Sequence, residues 1–120
     1  IVESIGLFDE KFFMYWEEVD LSLRILNAGY RLICSTEATI NRKENSSKTY
    51  INSIKLSTRN SFLLKSKHRL GTTSHILYLC TILMLSFKKS FKMLNIRPIK
   101  SFFLGLRDGY SLINLKNVKQ

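Results

Sequence analysis

Asn27-Ala28-Gly29-Tyr30-Arg31-Leu32-Ile33-Cys34 is the stretch that decides whether this chain carries a sheet. Gly29 suits the left-handed residue that follows the last turn of a helix. Tyr30 to Cys34 then reads as a short buried strand. Ser35-Thr36-Glu37 reads as a connection, and Ala38 to Arg42 alternates weakly, as a second strand would. With helices on both sides in sequence, this reading predicts an α/β fold.

Just upstream, residues 17–28 predict a helix. Val19, Leu23 and Leu26 fall at i, i+4 and i+7, which makes one apolar stripe. Asp20 and Arg24 are spaced to pair on the same face. Before that helix, Phe12, Phe13, Tyr15 and Trp16 crowd four aromatics into five residues. Such crowding suits the wall of a pocket or a core. Ile5 to Glu10 reads as a turn and a short irregular stretch.

Downstream, Asn41 to Ser47 is a polar loop. No Gly or Pro occurs between Lys48 and Leu70, so one long helix is expected there. Gly71 breaks it, and Thr73 or Ser74 is expected to cap the next helix. That helix carries the apolar run Ile76 to Phe87, followed by Lys88, Lys89 and Lys92. Pro98, the only proline, suits the first turn of a last helix.

The 120 residues leave room for one small core. Their charge is lopsided. Residues 1–40 hold three basic and seven acidic residues, whereas residues 41–120 hold sixteen basic and two acidic ones. This shift divides the chain into an acidic segment, 1–47, and a basic helical tail, 48–120. Cys34 and Cys80 both have apolar neighbours and no partner at metal-ligand spacing, so they read as buried, reduced thiols. His68 and His75 lie in the basic tail, far in sequence from the carboxylates, and read as surface or interface residues.

The chemistry-bearing pattern is Trp16-Glu17-Glu18-Val19-Asp20, with three carboxylates at a helix N-terminus. The helix dipole there keeps carboxylates ionised. An ionised carboxylate beside aromatic walls can act as a general base toward a hydroxyl. Acidic residues also favour the first turn of any helix, so the pattern by itself identifies no substrate.

The longer stretch Ile5-Gly6-Leu7-Phe8-Asp9-Glu10-Lys11-Phe12-Phe13-Met14-Tyr15-Trp16-Glu17-Glu18-Val19-Asp20-Leu21-Ser22-Leu23-Arg24 resembles the end of the catalytic domain in family 2 glycosyltransferases. The similarity is to the rhamnosyltransferase-like enzymes of bacterial polysaccharide synthesis. It continues through Gly29-Tyr30-Arg31, through Arg59-Asn60 and through Gly105-Leu106-Arg107-Asp108-Gly109. The resemblance implies the C-terminal part of a GT-A nucleotide-diphospho-sugar transferase domain, followed by the helical tail. The first residue is Ile1 rather than Met, and the chain reads as a piece of a longer enzyme.

By that resemblance the catalytic base falls on Glu18, where the family's usual residue is Asp. Glu17 and Trp16 take substrate-binding places, and Asp20 and Arg24 structural ones. The implied reaction is inverting transfer from a nucleotide-sugar donor to a glycan or lipid-linked acceptor, by single displacement in the cytoplasm. The resemblance also implies a divalent cation, Mg or Mn. Arg42 stands where the family has a metal-binding His, and it cannot ligate a cation. The family's Asp-x-Asp motif has no counterpart in these residues.

Twelve residues, Ile76 to Phe87, are too short to span a bilayer, which takes about 20. With their flanking lysines, residues 76–92 suit a peripheral contact on the inner membrane face, or a buried packing helix. The basic tail also raises two other readings, a nucleic-acid-binding module and a non-catalytic helical interaction module. The first is disfavoured, because the lysines are spread through apolar segments and no recognition motif accompanies them.

Overall fold

Helical periodicity and its stop signals account for most of the architecture. The computed structural model describes residues 2–39, 41 and 47–117. Its elements are α1 (Val2–Ile5), α2 (Glu17–Asn27), α3 (Ser47–His68), α4 (Thr72–Met93) and α5 (Arg97–Asn117).

The expected α/β fold is not formed. Among the described residues there is no strand, and the domain is helical. Tyr30 to Thr39 runs as exposed, irregular chain, with Ile33 90% exposed. A strand needs a neighbour to take its backbone N–H and C=O groups. The second expected strand does not supply one, since Ala38, Thr39 and Asn41 are not in strand conformation. Ile40 and Arg42 lie outside the described residues. The GT-A sheet implied by the resemblance is therefore absent among the described residues.

The helix boundaries follow local chemistry. At the end of α2, Gly29 takes a φ of 85°. Its N–H bonds the carbonyl of Leu26 at 3.0 Å, and the N–H of Tyr30 bonds that of Ile25 at 3.2 Å. This is a Schellman closure with glycine in the left-handed place. Gly71, rather than Thr73 or Ser74, precedes the first residue of α4, and no side chain caps that end. Pro98 sits in the first turn of α5 and is fully buried. Ahead of it, the side chain of Asn95 accepts from the N–H of Arg97 at 2.9 Å.

The central element is α3, which packs chiefly on α5, while α4 lies against both. The acidic segment covers the α3 surface around Leu63 and Leu64. Phe12 is fully buried in a cluster with these two leucines, and Trp16, Val19 and Leu23 pack around it. Burying a phenylalanine in this way contributes about 1.5–3 kcal/mol. Leu26, the third member of the expected stripe, is exposed. The segments on the two sides of the charge shift therefore interlock through one core.

The close contact of α5 with α3 depends on Gly105 and Gly109, one turn apart on the same face. A Cβ on Gly105 would lie 2.5 Å from the Lys55 carbonyl oxygen, and one on Gly109 would lie 2.6 Å from the Phe62 ring. The backbone contact cannot yield by a side-chain rotation, so the helices must separate. Gly105→Ala is expected to cost about 2 kcal/mol. That corresponds to a thermal midpoint lower by roughly 10 °C. Calorimetry that leaves the midpoint unchanged would show that the helices separate freely.

Candidate functional site

The turn before α2 is held in a conformation that its own residues disfavour. Phe13, Tyr15 and Trp16 have φ values of 60°, 69° and 73°. Each is an L-residue in the left-handed region, at a cost of about 1–2 kcal/mol. The restraint comes from α3. The buried Asn60 side-chain nitrogen donates to the carbonyls of Phe12 at 2.7 Å, Met14 at 2.8 Å and Tyr15 at 2.9 Å. Next to it, Arg59 donates to the Lys11 carbonyl at 3.2 Å. Arg59-Asn60, noticed in the sequence as a dipeptide, is thus the clamp on the aromatic turn.

From that turn α2 begins, and the structure sorts its three carboxylates into different roles. Asp20 is fully buried. It accepts from Arg24 Nε at 3.0 Å, from Lys67 Nζ at 2.9 Å and from His68 Nε2 at 2.8 Å. Since a carboxylate only accepts, His68 carries a proton on Nε2 in this contact. Burial alone would raise the Asp20 pKa, but the bonds from Lys67, His68 and Arg24 outweigh it and hold the carboxyl below its ordinary value. Asp9 follows the same pattern. It would be raised by burial, yet its bond from Lys67 at 2.7 Å and that from the Lys11 N–H lower it.

Glu18 is exposed in the first turn of α2, and no ion pair among the described residues involves it. Glu17 is half-buried, and its Oε2 is buried without a hydrogen-bond partner among them. Trp16 is half-buried just before them. Its indole N–H donates to the Ser57 carbonyl at 3.0 Å and is shared with the Ser57 hydroxyl at 3.1 Å. Its ring meets Tyr78 edge-on, with centroids 5.1 Å apart. The N–H of Trp16 is therefore used within the fold, and the ring surface is what it can offer a ligand. No family model, curated protein or solved structure matches the chain.

Two expectations about the histidines and cysteines need correction. Neither histidine is a surface residue. His68 reaches the Asp20 carboxylate, and His75 is buried against Ser61 and the Phe62 ring. Ser61 gives its proton to the Thr58 carbonyl, so His75 Nε2 donates to Ser61. Burial, with a smaller contribution from Lys65, lowers the His75 pKa. Cys34 and Cys80 are exposed free thiols, not buried ones. The apolar residues flanking Cys80 misled because Tyr78, Leu79 and Ile82 turn toward the fold while Cys80 lies on the other side of the helix.

Among the described residues no group of three or more His, Cys, Asp or Glu side chains could hold a metal ion. Asp20, the carboxylate nearest in sequence to Glu17 and Glu18, is already saturated by three donors. The resemblance puts the main ligands of the implied Mg or Mn outside these residues, and Arg42 lies outside the described ones.

Proposed function

We propose that this chain carries the acceptor side of a glycosyl-transfer site, with Glu18 as the general base. The observation that supports it most is the sorting of carboxylates. Asp20 is tied into the fold, while Glu18 is left exposed at the positive end of α2, beside a turn held under strain. Strained left-handed residues persist where the surrounding structure holds them, and they concentrate at functional sites. Fixing a base by such a turn serves catalysis, because rate depends steeply on its placement.

In this reading the Glu18 carboxylate takes the proton of an acceptor hydroxyl. The hydroxyl oxygen attacks the anomeric carbon, and the nucleoside diphosphate leaves from the opposite face. Trp16 offers ring surface to the acceptor, and Glu17 a hydrogen-bond acceptor to its hydroxyls. The reading rests on the turn and on the sequence resemblance, and it requires no sheet within these residues. In this reading the donor is bound by residues other than these, and the transfer is a cytoplasmic one.

Glu18→Gln in the enzyme that carries this segment is expected to lower kcat by about 10²–10⁴, the usual worth of a general base. Donor KM and the thermal midpoint should stay unchanged, because Glu18 is exposed and makes no ion pair among the described residues. Turnover within a few-fold of the parent enzyme would remove Glu18 from the role. The alternative, a non-catalytic interaction module, is supported by the surface of α4 and predicts no transfer in either protein.

A further inference from the structure

Where α4 meets the rest of the fold its most buried residues are polar, and Tyr78, Leu79, Ile82 and Leu83 are half-buried beside them. Its buried positions are His75, Ser86 and Ser90. Its solvent side carries Leu77, Met84 and Phe91 at seven-residue spacing, with Cys80, Phe87 and Leu94 three residues after each. That spacing makes a single stripe along the helix. The stripe is most exposed at its end, beside the turn into α5. Met84 is 73% exposed, Phe91 85%, Leu94 93%, and Ile96 in the turn 71%.

Leu94 is also in the wrong backbone conformation for its type. Its φ is 48°. The N–H of Asn95 bonds the Ser90 carbonyl at 3.0 Å, and that of Leu94 bonds Phe91 at 3.3 Å. Leu94 thus fills the left-handed place of a Schellman closure, where glycine is the usual residue. An exposed leucine there destabilises the fold relative to glycine.

Exposed Lys88, Lys92 and Arg97 stand at the same end of the helix. Between Thr72 and Arg107 there is no acidic residue at all. We infer that the Met84–Ile96 end of α4 and its turn dock on an anionic bilayer surface. The apolar side chains enter below the headgroups, and the three cations sit on headgroup phosphates and carboxylates. A second copy fits this face less well. The chain carries a net charge of +10, and a self-contact would bring like charges together with no acid on the face to offset them. Among the described residues no helix is long and apolar enough to cross a membrane, so the contact is interfacial. This inference is independent of the glycosyl-transfer reading.

Co-sedimentation of the chain with phosphatidylglycerol-containing vesicles and with pure phosphatidylcholine vesicles tests it. Binding should be stronger to the anionic vesicles and should persist in part at high salt. Lys88→Gln/Lys92→Gln should weaken binding to anionic vesicles by about 25-fold, at roughly a factor of five per lysine. Phe91→Ser/Leu94→Gly should weaken binding to both vesicle types, by about a hundredfold or more. Leu94→Gly alone should raise the thermal midpoint while weakening binding, which separates docking from folding. The inference is overturned by equal binding to both vesicle types, or by no vesicle binding. Without vesicle binding, a dimer in sedimentation velocity lost in Phe91→Ser/Leu94→Gly would assign the face to a second copy. Steeply salt-dependent binding to DNA or RNA, again without vesicle binding, would assign it to nucleic acid.

Discussion

Asn60→Asp is expected to destabilise the chain by about 3–5 kcal/mol at pH 7, although it changes one side-chain NH₂ into oxygen and leaves the shape intact. The nitrogen of Asn60 faces three carbonyl oxygens within 2.9 Å. Its two hydrogens are shared among all three. An ionised aspartate would place a proton-free oxygen against the same three acceptors, in a fully buried position. The Met14 and Tyr15 carbonyls lose this donor, the Phe12 carbonyl keeps only the Met14 N–H, and the buried charge has no partner. At the same time the turn loses the restraint that offsets its left-handed Phe13, Tyr15 and Trp16. Total stability for a domain of this kind is about 5–15 kcal/mol, so the variant is close to unfolding.

The pH dependence separates this mechanism from simple loss of packing. The new carboxyl is buried among acceptors, so its folded pKa rises above the unfolded value near 4. A group raised in this way is least harmful below its unfolded pKa and most harmful above its folded one. The gap between Asn60→Asp and the parent chain should therefore narrow from pH 7 to pH 4. The gap for Asn60→Ala should stay constant. Urea melts at the two pH values measure both. A difference under about 1 kcal/mol at pH 7 would mean that Asn60 is not what holds the turn.

Legibility from the sequence followed the range of the interaction. The α2 helix and its glycine stop, the unbroken α3 and the placing of Pro98 depend on neighbours within a turn, and they read correctly. The apolar run Tyr30 to Cys34 read as a strand because local composition cannot say whether a second strand lies beside it. The Asp20–Arg24 pair was visible at its i, i+4 spacing. The bonds from Lys67 and His68, nearly fifty residues away, were not, and with them went the sorting of the three carboxylates. Gly105 and Gly109 carried a legible signal, since four-residue spacing on a helix marks a close approach. The glycosyltransferase resemblance had accounted for them without that reason. The polar residues at the buried positions of α4 could not be read from its apolar run, because the run does not say which side meets α3 and α5.

Asp20→Asn is expected to cost about 3 kcal/mol at pH 7, through a different arrangement of charge. The carboxylate is buried and brings together α2 and the end of α3, and through Lys67 it also reaches Asp9 in the preceding loop. An amide keeps the size but cannot accept from Arg24, Lys67 and His68 on both sides at once, and its NH₂ turns a donor toward donors. Removing one member of a buried ion pair costs about 3–5 kcal/mol. The lower end applies, because the Lys67 and Arg24 side chains are partly exposed and Lys67 keeps Asp9. The sign of the pH effect follows from the lowered Asp20 pKa. A depressed carboxyl contributes stability that is complete above its unfolded value near 4 and is lost as pH falls through the lower folded value. Asp9, also lowered, loses its contribution over the same acidic range. Lys67 is opposite in sense: burial alone would lower its pKa, but Asp9 and Asp20 raise it above 10.5, so its contribution disappears only at strongly alkaline pH. The parent chain should therefore be destabilised below about pH 4, and Asp20→Asn should show a weaker acid dependence. The two stabilities should draw together as pH falls through the acidic range. Thermal melts from pH 7 to pH 2 that keep a constant separation would show that Asp20 acts by its shape alone, and that the cations around it are held by something else.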